Sequence, residues 1–287
     1  MLFKVAWTIP RFTPELIQRF IYGSIATLGF VLRPPGVKRL QFNMSRVIGA
    51  KYWSLQALTL TWKAMHSYFK YWRQMFAMNH RDANFVFTQS NTYNKELIES
   101  HLATGEGCFI VATHSGNWDV AGAWLGLTFG NILTVAEKLE PEVLFKMFVQ
   151  ARERFNLSIL AHSAGDSTID ILSEALGQNK IVAIVADRTL SSRGIDVKMF
   201  GYQCKLPAGP YAIAKRAGVA VIPGAIWFEG EKTLMEVFEP ISVANKSAEE
   251  FSQELAEAFE NIIAQHPENW HMFQQVWPDH PKKWGGR

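Results

Sequence analysis

Apolar positions follow two different rhythms along this chain of 287 residues. Up to about residue 82 they recur every three or four places. Leu55, Leu58, Trp62, Met65, Tyr68 and Trp72 make one such stripe, which predicts a long amphipathic helix. Thr13-Pro14-Glu15 reads as a cap with proline at the first helical position, opening a helix that runs to Leu32, and Arg33-Pro-Pro-Gly36 ends it. Further helices are expected over 37–50 and 52–78. From residue 92 short apolar runs alternate with amphipathic segments. Helices are predicted at 92–103, 117–128, 141–155, 167–177, 208–217 and 248–265. Strands are predicted at 107–112, 131–136, 157–161, 181–186, 194–200, 219–227 and 233–238. Ile181-Val-Ala-Ile-Val-Ala186 is apolar throughout, as a strand buried on both faces requires. The expected fold class is α/β: a mixed, largely parallel sheet flanked by helices, preceded by a helical, membrane-associating region. The whole chain, 1–287, reads as one domain, with a helical part at 1–91 and an α/β core at 92–280.

Composition narrows the function. Hydrophobic residues make up 48% and charged residues 19%, enough for one large core. The net charge of +3 gives no support to a nucleic-acid partner. Local charge differs: over residues 1–82 only Glu15 and Asp82 are acidic, while Lys51-Tyr-Trp and Lys70-Tyr-Trp-Arg73 interleave cations with aromatics. Such a segment suits an anionic membrane surface; a solvated helical face is the alternative. The longest apolar run, 20–32, would rise only about 20 Å as a helix, short of a ~30 Å hydrocarbon core. It therefore reads as interfacial or buried. Two cysteines, Cys108 and Cys204, give neither a disulfide framework nor metal-ligand spacing, so a reduced, cytosol-facing protein is expected. The first residues lack the pattern of a cleavable leader.

Candidate chemistry gathers where strands end. The apolar run Cys108–Ala112 stops before His114, and Asp119 follows within Ser115-Gly-Asn-Trp-Asp119. On one regular helix such a pair would sit about 140° apart, so His114 and Asp119 meet only across a bend. Ser-Gly-Asn supplies bend and capping chemistry. An imidazole beside a carboxylate is a general base with an orienting partner. Asp187 and Arg188 close the most apolar strand, where a carboxylate could orient His114 or simply occupy a surface turn. Arg152 or Arg154 could hold a phosphate of a bulky donor, and Pro207-Ala-Gly209-Pro opens a helix whose N–H groups could face an anion. No P-loop, dinucleotide fingerprint, zinc-protease motif or serine elbow is present, and the eight histidines are scattered, so no metal is expected.

His114-Ser-Gly-Asn-Trp-Asp119 resembles the His-x4-Asp motif of the glycerolipid, lysophospholipid and lipid A acyltransferase superfamily. Val135-Ala-Glu-Lys-Leu-Glu-Pro-Glu142, Val185-Ala-Asp-Arg-Thr-Leu190, Gly194-Ile-Asp-Val-Lys-Met-Phe-Gly201 and Pro207-Ala-Gly-Pro210 are similar to the actinobacterial phosphatidylinositol mannoside acyltransferases. The tail Pro267-Glu-Asn-Trp-His-Met-Phe-Gln274 is shared with the wider group. The resemblance implies direct transfer of a long, palmitoyl-like chain from acyl-CoA to a mannose hydroxyl, with no acyl-enzyme and no cofactor beyond the donor. His114 would be the base, Asp119 would orient it, and Asp187 would partner it as well. Substrate contacts are expected from Asn117, Arg152, Arg188, Pro207 and Gly209. The implied partners are acyl-CoA, a glycolipid acceptor and an anionic membrane surface, with the protein peripheral on the cytoplasmic face of the cell membrane. Lipid A-type lauroyl or myristoyl transfer and lysophospholipid acylation are the alternatives. A non-enzymatic lipid-binding protein would need neither His114 nor Asp119.

Overall fold

The computed structural model describes residues 10–136, 142–161, 166–189, 194–281 and 284. Three helices come first: α1 (Glu15–Leu32), α2 (Pro35–Val47) and α3 (Leu55–Met78). Pro14 is the cap of α1, one place later than the sequence pattern suggests. Pro35 opens α2, where a missing N–H costs no hydrogen bond. α3 starts at Leu55 because the Ser54 hydroxyl accepts the Ala57 N–H at 3.1 Å and fixes its entry. At 24 residues α3 is about 36 Å long, and both α1 and α2 pack along it.

The chain then runs α4 (Ala83–Gln89), β1 (Ser90–Tyr93), α5 (Lys95–Thr104), β2 (Cys108–Ala112), α6 (Trp118–Phe129) and β3 (Ile132–Ala136). It continues α7 (Glu142–Glu153), β4 (Leu157–Ala161), α8 (Asp166–Gly177), β5 (Ile181–Val185), β6 (Ile195–Met199) and β7 (Tyr202–Leu206). α9 (Gly209–Ala217), β8 (Val221–Glu229), β9 (Lys232–Val237), α10 (Ala248–Gln265) and a 3-10 turn (Pro267–Asn269) complete it. Seven strands form one sheet in the order β1-β9-β8-β2-β5-β3-β4. All neighbours are parallel except β8 and β9. The sheet is thus mixed, largely parallel and helix-covered, as the alternation predicted.

Neither α4 nor β7 was predicted, and two further strands differ from the sequence pattern. β1, Ser90-Asn-Thr-Tyr93, was expected to lead into the helix at 92–103, but it adds an edge strand to the sheet. Its inward side chains are the Ser90 and Thr92 hydroxyls, so it carries no apolar alternation to read. The strand predicted at 194–200 leaves the main sheet and pairs only with β7 in an antiparallel hairpin. Phe200 and Gly201 turn that hairpin with φ of 52° and 81°, the positive values a tight two-residue turn needs. The predicted helix start at Glu140-Pro141 and the charges at Glu137 and Lys138 lie outside the described residues.

Strand side chains alternate between two cores. On one face Phe109, Val111 and Val182 meet α8, α9 and α10 through residues such as Phe251 and Phe259. On the other, Cys108, Ile110 and Ala112 meet α6, α7 and the end of α3 through Trp124, Phe148 and Met75. This second face carries the cavity described next.

Candidate active site

Strand register decides which residues meet. β2 and β5 are parallel neighbours with Ala112 opposite Val185, and His114 and Asp187 each follow two places later. They therefore leave the sheet side by side. The Asp187 carboxylate makes a short contact to His114 Nδ1 through Oδ1 and accepts the His114 backbone N–H at 3.0 Å through Oδ2. Trp270 Nε1–H donates to the same Oδ2 at 2.7 Å. Burial alone pushes the Asp187 carboxyl upward, but His114 and these donors outweigh it and hold its pKa below the usual carboxylate value. An ionised Asp187 fixes the proton on Nδ1 and leaves Nε2 as the basic lone pair.

The bend after His114 is built by its neighbours. Ser115 bridges to Trp270, and the Gly116 N–H donates to the Asn269 carbonyl at 3.0 Å. Gly116 has φ of +57°, and a Cβ there would lie 2.8 Å from the Ile226 backbone, so the position demands glycine. Asn117 is fully buried and caps α6: its Oδ1 accepts the Val120 N–H at 3.1 Å, and its Nδ2 donates to Gln74 Oε1 at 2.9 Å. Its side chain, expected at the substrate, is hydrogen-bonded within the fold. Trp118 stacks on Tyr71 at 4.2 Å and stands edge-on to His114 at 5.6 Å.

Asp119 also departs from expectation. It sits in the first turn of α6, buried, with Oδ2 accepting the Tyr71 hydroxyl at 2.9 Å and Oδ1 accepting Arg152 Nε at 2.5 Å. The carboxylate in contact with the imidazole is Asp187, and the turn of α6 directs Asp119 toward Tyr71 of α3 and Arg152 of α7. Arg152 in turn is committed to Asp119. Burial disfavours its charge, yet Asp119 more than compensates and raises its pKa. Burial and then the Asp119 charge push the Tyr71 phenol well above its ordinary value, so it remains a donor.

His114, Asp119, Arg152 and Arg188 all line a cavity of about 420 Å³. Ile110, Ala112, Ala183 and Val185 from the sheet form one wall, and Gly122, Leu125 and Phe148 from α6 and α7 form another. This is an apolar slot ending at an imidazole. Arg188 Nη1 is buried there without a hydrogen-bond partner among the described residues. Pro207 and Gly209, expected at the substrate, lie at the start of α9 and are not among the described residues that line the cavity. Arg154 donates to the Asn79 and Arg81 carbonyls instead. Tyr71, Trp270 and His271 enter the site without having been predicted. The tail motif around Trp270 marked two of them, but nothing in its spacing told that it folds back onto His114. Among the described residues no cluster of His, Cys, Asp and Glu is arranged to hold a metal ion.

Comparison with known proteins identifies the family of the chain. The sequence profile described as bacterial lipid A biosynthesis acyltransferase matches residues 1–278. The chain is 32% identical over 276 residues to the phosphatidylinositol mannoside acyltransferase of Mycolicibacterium smegmatis, covering 96% of this chain and 90% of that protein. It is 32% identical over 279 residues to the phosphatidylinositol mannoside acyltransferase of Mycobacterium tuberculosis, covering 96% of this chain and 87% of that one.

Proposed function

The chain belongs to the bacterial lipid A biosynthesis acyltransferase family and is an acyltransferase, and from that premise we propose that it moves a long, palmitoyl-like chain from acyl-CoA to a mannose hydroxyl of a phosphatidylinositol mannoside. One observation supports the chemistry above all others: an imidazole held by a buried carboxylate at the mouth of an apolar slot. The slot takes the acyl chain, with each buried methylene contributing about 0.8 kcal/mol. The acceptor oxygen attacks the thioester carbon while its proton passes to His114 Nε2. Asp187 stabilises the imidazolium. Arg188, with an unpartnered buried N–H group, faces the developing oxyanion. Collapse of the tetrahedral intermediate breaks the C–S bond, and the proton on Nε2 leaves with the CoA thiolate as a thiol.

The same reading sets the protein on the cytoplasmic face of the cell membrane, where a glycolipid acceptor resides. Leu16, Phe20, Leu28, Val31 and Leu32 of α1 are exposed, as are Trp53 and Leu55 beside them. Among the described residues no helix is long and apolar enough to cross a membrane. An exposed apolar stripe on a helix of this length suits insertion in the interfacial plane.

The test is transfer from labelled palmitoyl-CoA to a phosphatidylinositol mannoside in mixed vesicles. Labelled, acylated mannoside is expected with the native chain and is expected to be nearly absent with His114→Ala. Transfer to a lipid A precursor or a lysophospholipid, with the mannoside inert, overturns the acceptor assignment.

A further inference from the structure

His271 stands directly beside the base. Its backbone N–H donates to the His114 carbonyl at 2.8 Å, and its ring lines the cavity. The ring is buried, with one nitrogen, Nε2, 2.9 Å from Ser67 Oγ. The other nitrogen, Nδ1, is buried with no hydrogen-bond partner among the described residues.

The surrounding groups fix which nitrogen carries the hydrogen. The Phe228 backbone N–H donates to Asn269 Oδ1 at 3.2 Å, which identifies that atom as the amide oxygen. Ser67 Oγ lies 3.1 Å from the same oxygen. An oxygen cannot donate, so the single proton of the serine hydroxyl goes to Asn269. The remaining contact, between Ser67 and His271, then needs its proton from the imidazole. The opposite assignment would set two oxygens face to face at 3.1 Å with no proton between them. Nε2 therefore bears the hydrogen, and in a neutral ring Nδ1 is a bare lone pair. Burial, then the neighbouring His114, push the His271 pKa down to about 3, which keeps the ring neutral near pH 7.

A buried acceptor without a donor is costly, and native structures rarely leave one. The acyl chain and its thioester carbonyl bring no donor to this place. The reactant rich in O–H groups at His114 is the acceptor, and one hydroxyl proton cannot serve two acceptors. We propose that His271 Nδ1 accepts a hydrogen bond from a second hydroxyl of the acceptor polyol, next to the hydroxyl that His114 deprotonates. His271 is then an acceptor-binding residue that selects a diol over a simple alcohol. This inference rests on the acyl-transfer reading above.

Two substitutions separate this role from a structural one. Gln at position 271 reaches Ser67 as Nε2 does but offers nothing where Nδ1 stood. Asn carries its Oδ1 to about the place of Nδ1. His271→Gln should raise the acceptor KM roughly ten- to hundredfold while the acyl-CoA KM moves less than twofold. His271→Asn should recover much of that loss. Native protein given acceptors that lack one ring hydroxyl at a time should fall to the His271→Gln level for one analogue alone, with no further loss when the two changes are combined. Equal loss in both variants, or a shift confined to the acyl-CoA KM, overturns the proposal. A spectrum of ¹⁵N-histidine-labelled protein gives an answer independent of turnover. One neutral, Nε2-protonated ring persisting at pH 5 and missing from His271→Gln is expected, and an Nδ1-protonated ring overturns the proposal. Failure of the acyl-transfer reading is distinct: native protein then transfers nothing to any polyol lipid, whatever the spectrum reports.

Discussion

Asp119 and Asp187 are almost equally buried, at 2% and 1% exposure, and both sit just past a strand end, yet they do different work. Asp187 meets an imidazole, whose charge would change in the proton transfer proposed above. Asp119 meets a guanidinium whose charge is fixed, and a phenol that stays protonated. Burial therefore does not tell the two carboxylates apart; the nature of the partner does. On the proposed reading, one pair gains and loses a proton. The other is built to tie α3, α6 and α7 together around the cavity.

The sharpest way to break this contrast is to neutralise each carboxylate. Asp187→Asn removes the group that sets the His114 tautomer and stabilises its charged form. The turnover number should fall by about 10³–10⁴-fold while the circular dichroism spectrum is kept. Asp119→Asn should fall much less, and an equal fall would erase the distinction. Stability should show the reverse order. Asp119→Ala strands the buried Arg152 charge and should cost roughly 3–5 kcal/mol in urea unfolding. Adding Arg152→Met should return part of that loss, because no unpaired ion then remains. A double variant no more stable than Asp119→Ala would deny the pair its structural role.

The smallest effect, step for step, is a slope with pH. The folded pKa of His271 is about 3 against an ordinary 6.5, so the unfolded chain binds the proton first as pH falls. Stability is thus full above pH 6.5 and declines toward pH 3, by at most about 1.4 kcal/mol per pH unit from this group. His280, held at about 4 by burial and by Arg39 and Arg46, acts in the same window. Asp187, held below its ordinary 3.8, adds its loss only below that value. His271→Gln should flatten the upper part of the slope, measured as melting temperature against pH, whereas the Asp119 variants should keep it.

These contrasts were partly legible in the sequence. Strands β2 and β5 announce themselves by unbroken apolar runs, so His114 and Asp187 could be placed at strand ends. Which carboxylate faces the imidazole could not be read, because it depends on β5 lying next to β2 in a particular register. Local spacing favoured Asp119, only five places away, and the cap at Asn117 turns it elsewhere. Asn117 itself looked like a substrate contact because a polar residue in an active-site motif can face either way. Only Gln74, from a distant helix, reveals that it faces inward. The polar strand β1 and the tail residues Trp270 and His271 share one obstacle: their partners are far off in sequence, and no period encodes them.

The place of β5 in the sheet has a consequence for how the protein comes alive. β5 lies between β2 and β3, although β3 and β4 are both made before it. His114 and Asp187 are 73 positions apart, so their meeting needs a long loop closed and a strand inserted between two others. Helices form from local contacts within microseconds, whereas non-local parallel pairing is slow. A refolding chain should therefore regain helical signal well before it regains turnover. Appearance of activity times the arrival of the central strand, and a newly made chain stays inert until that strand is seated.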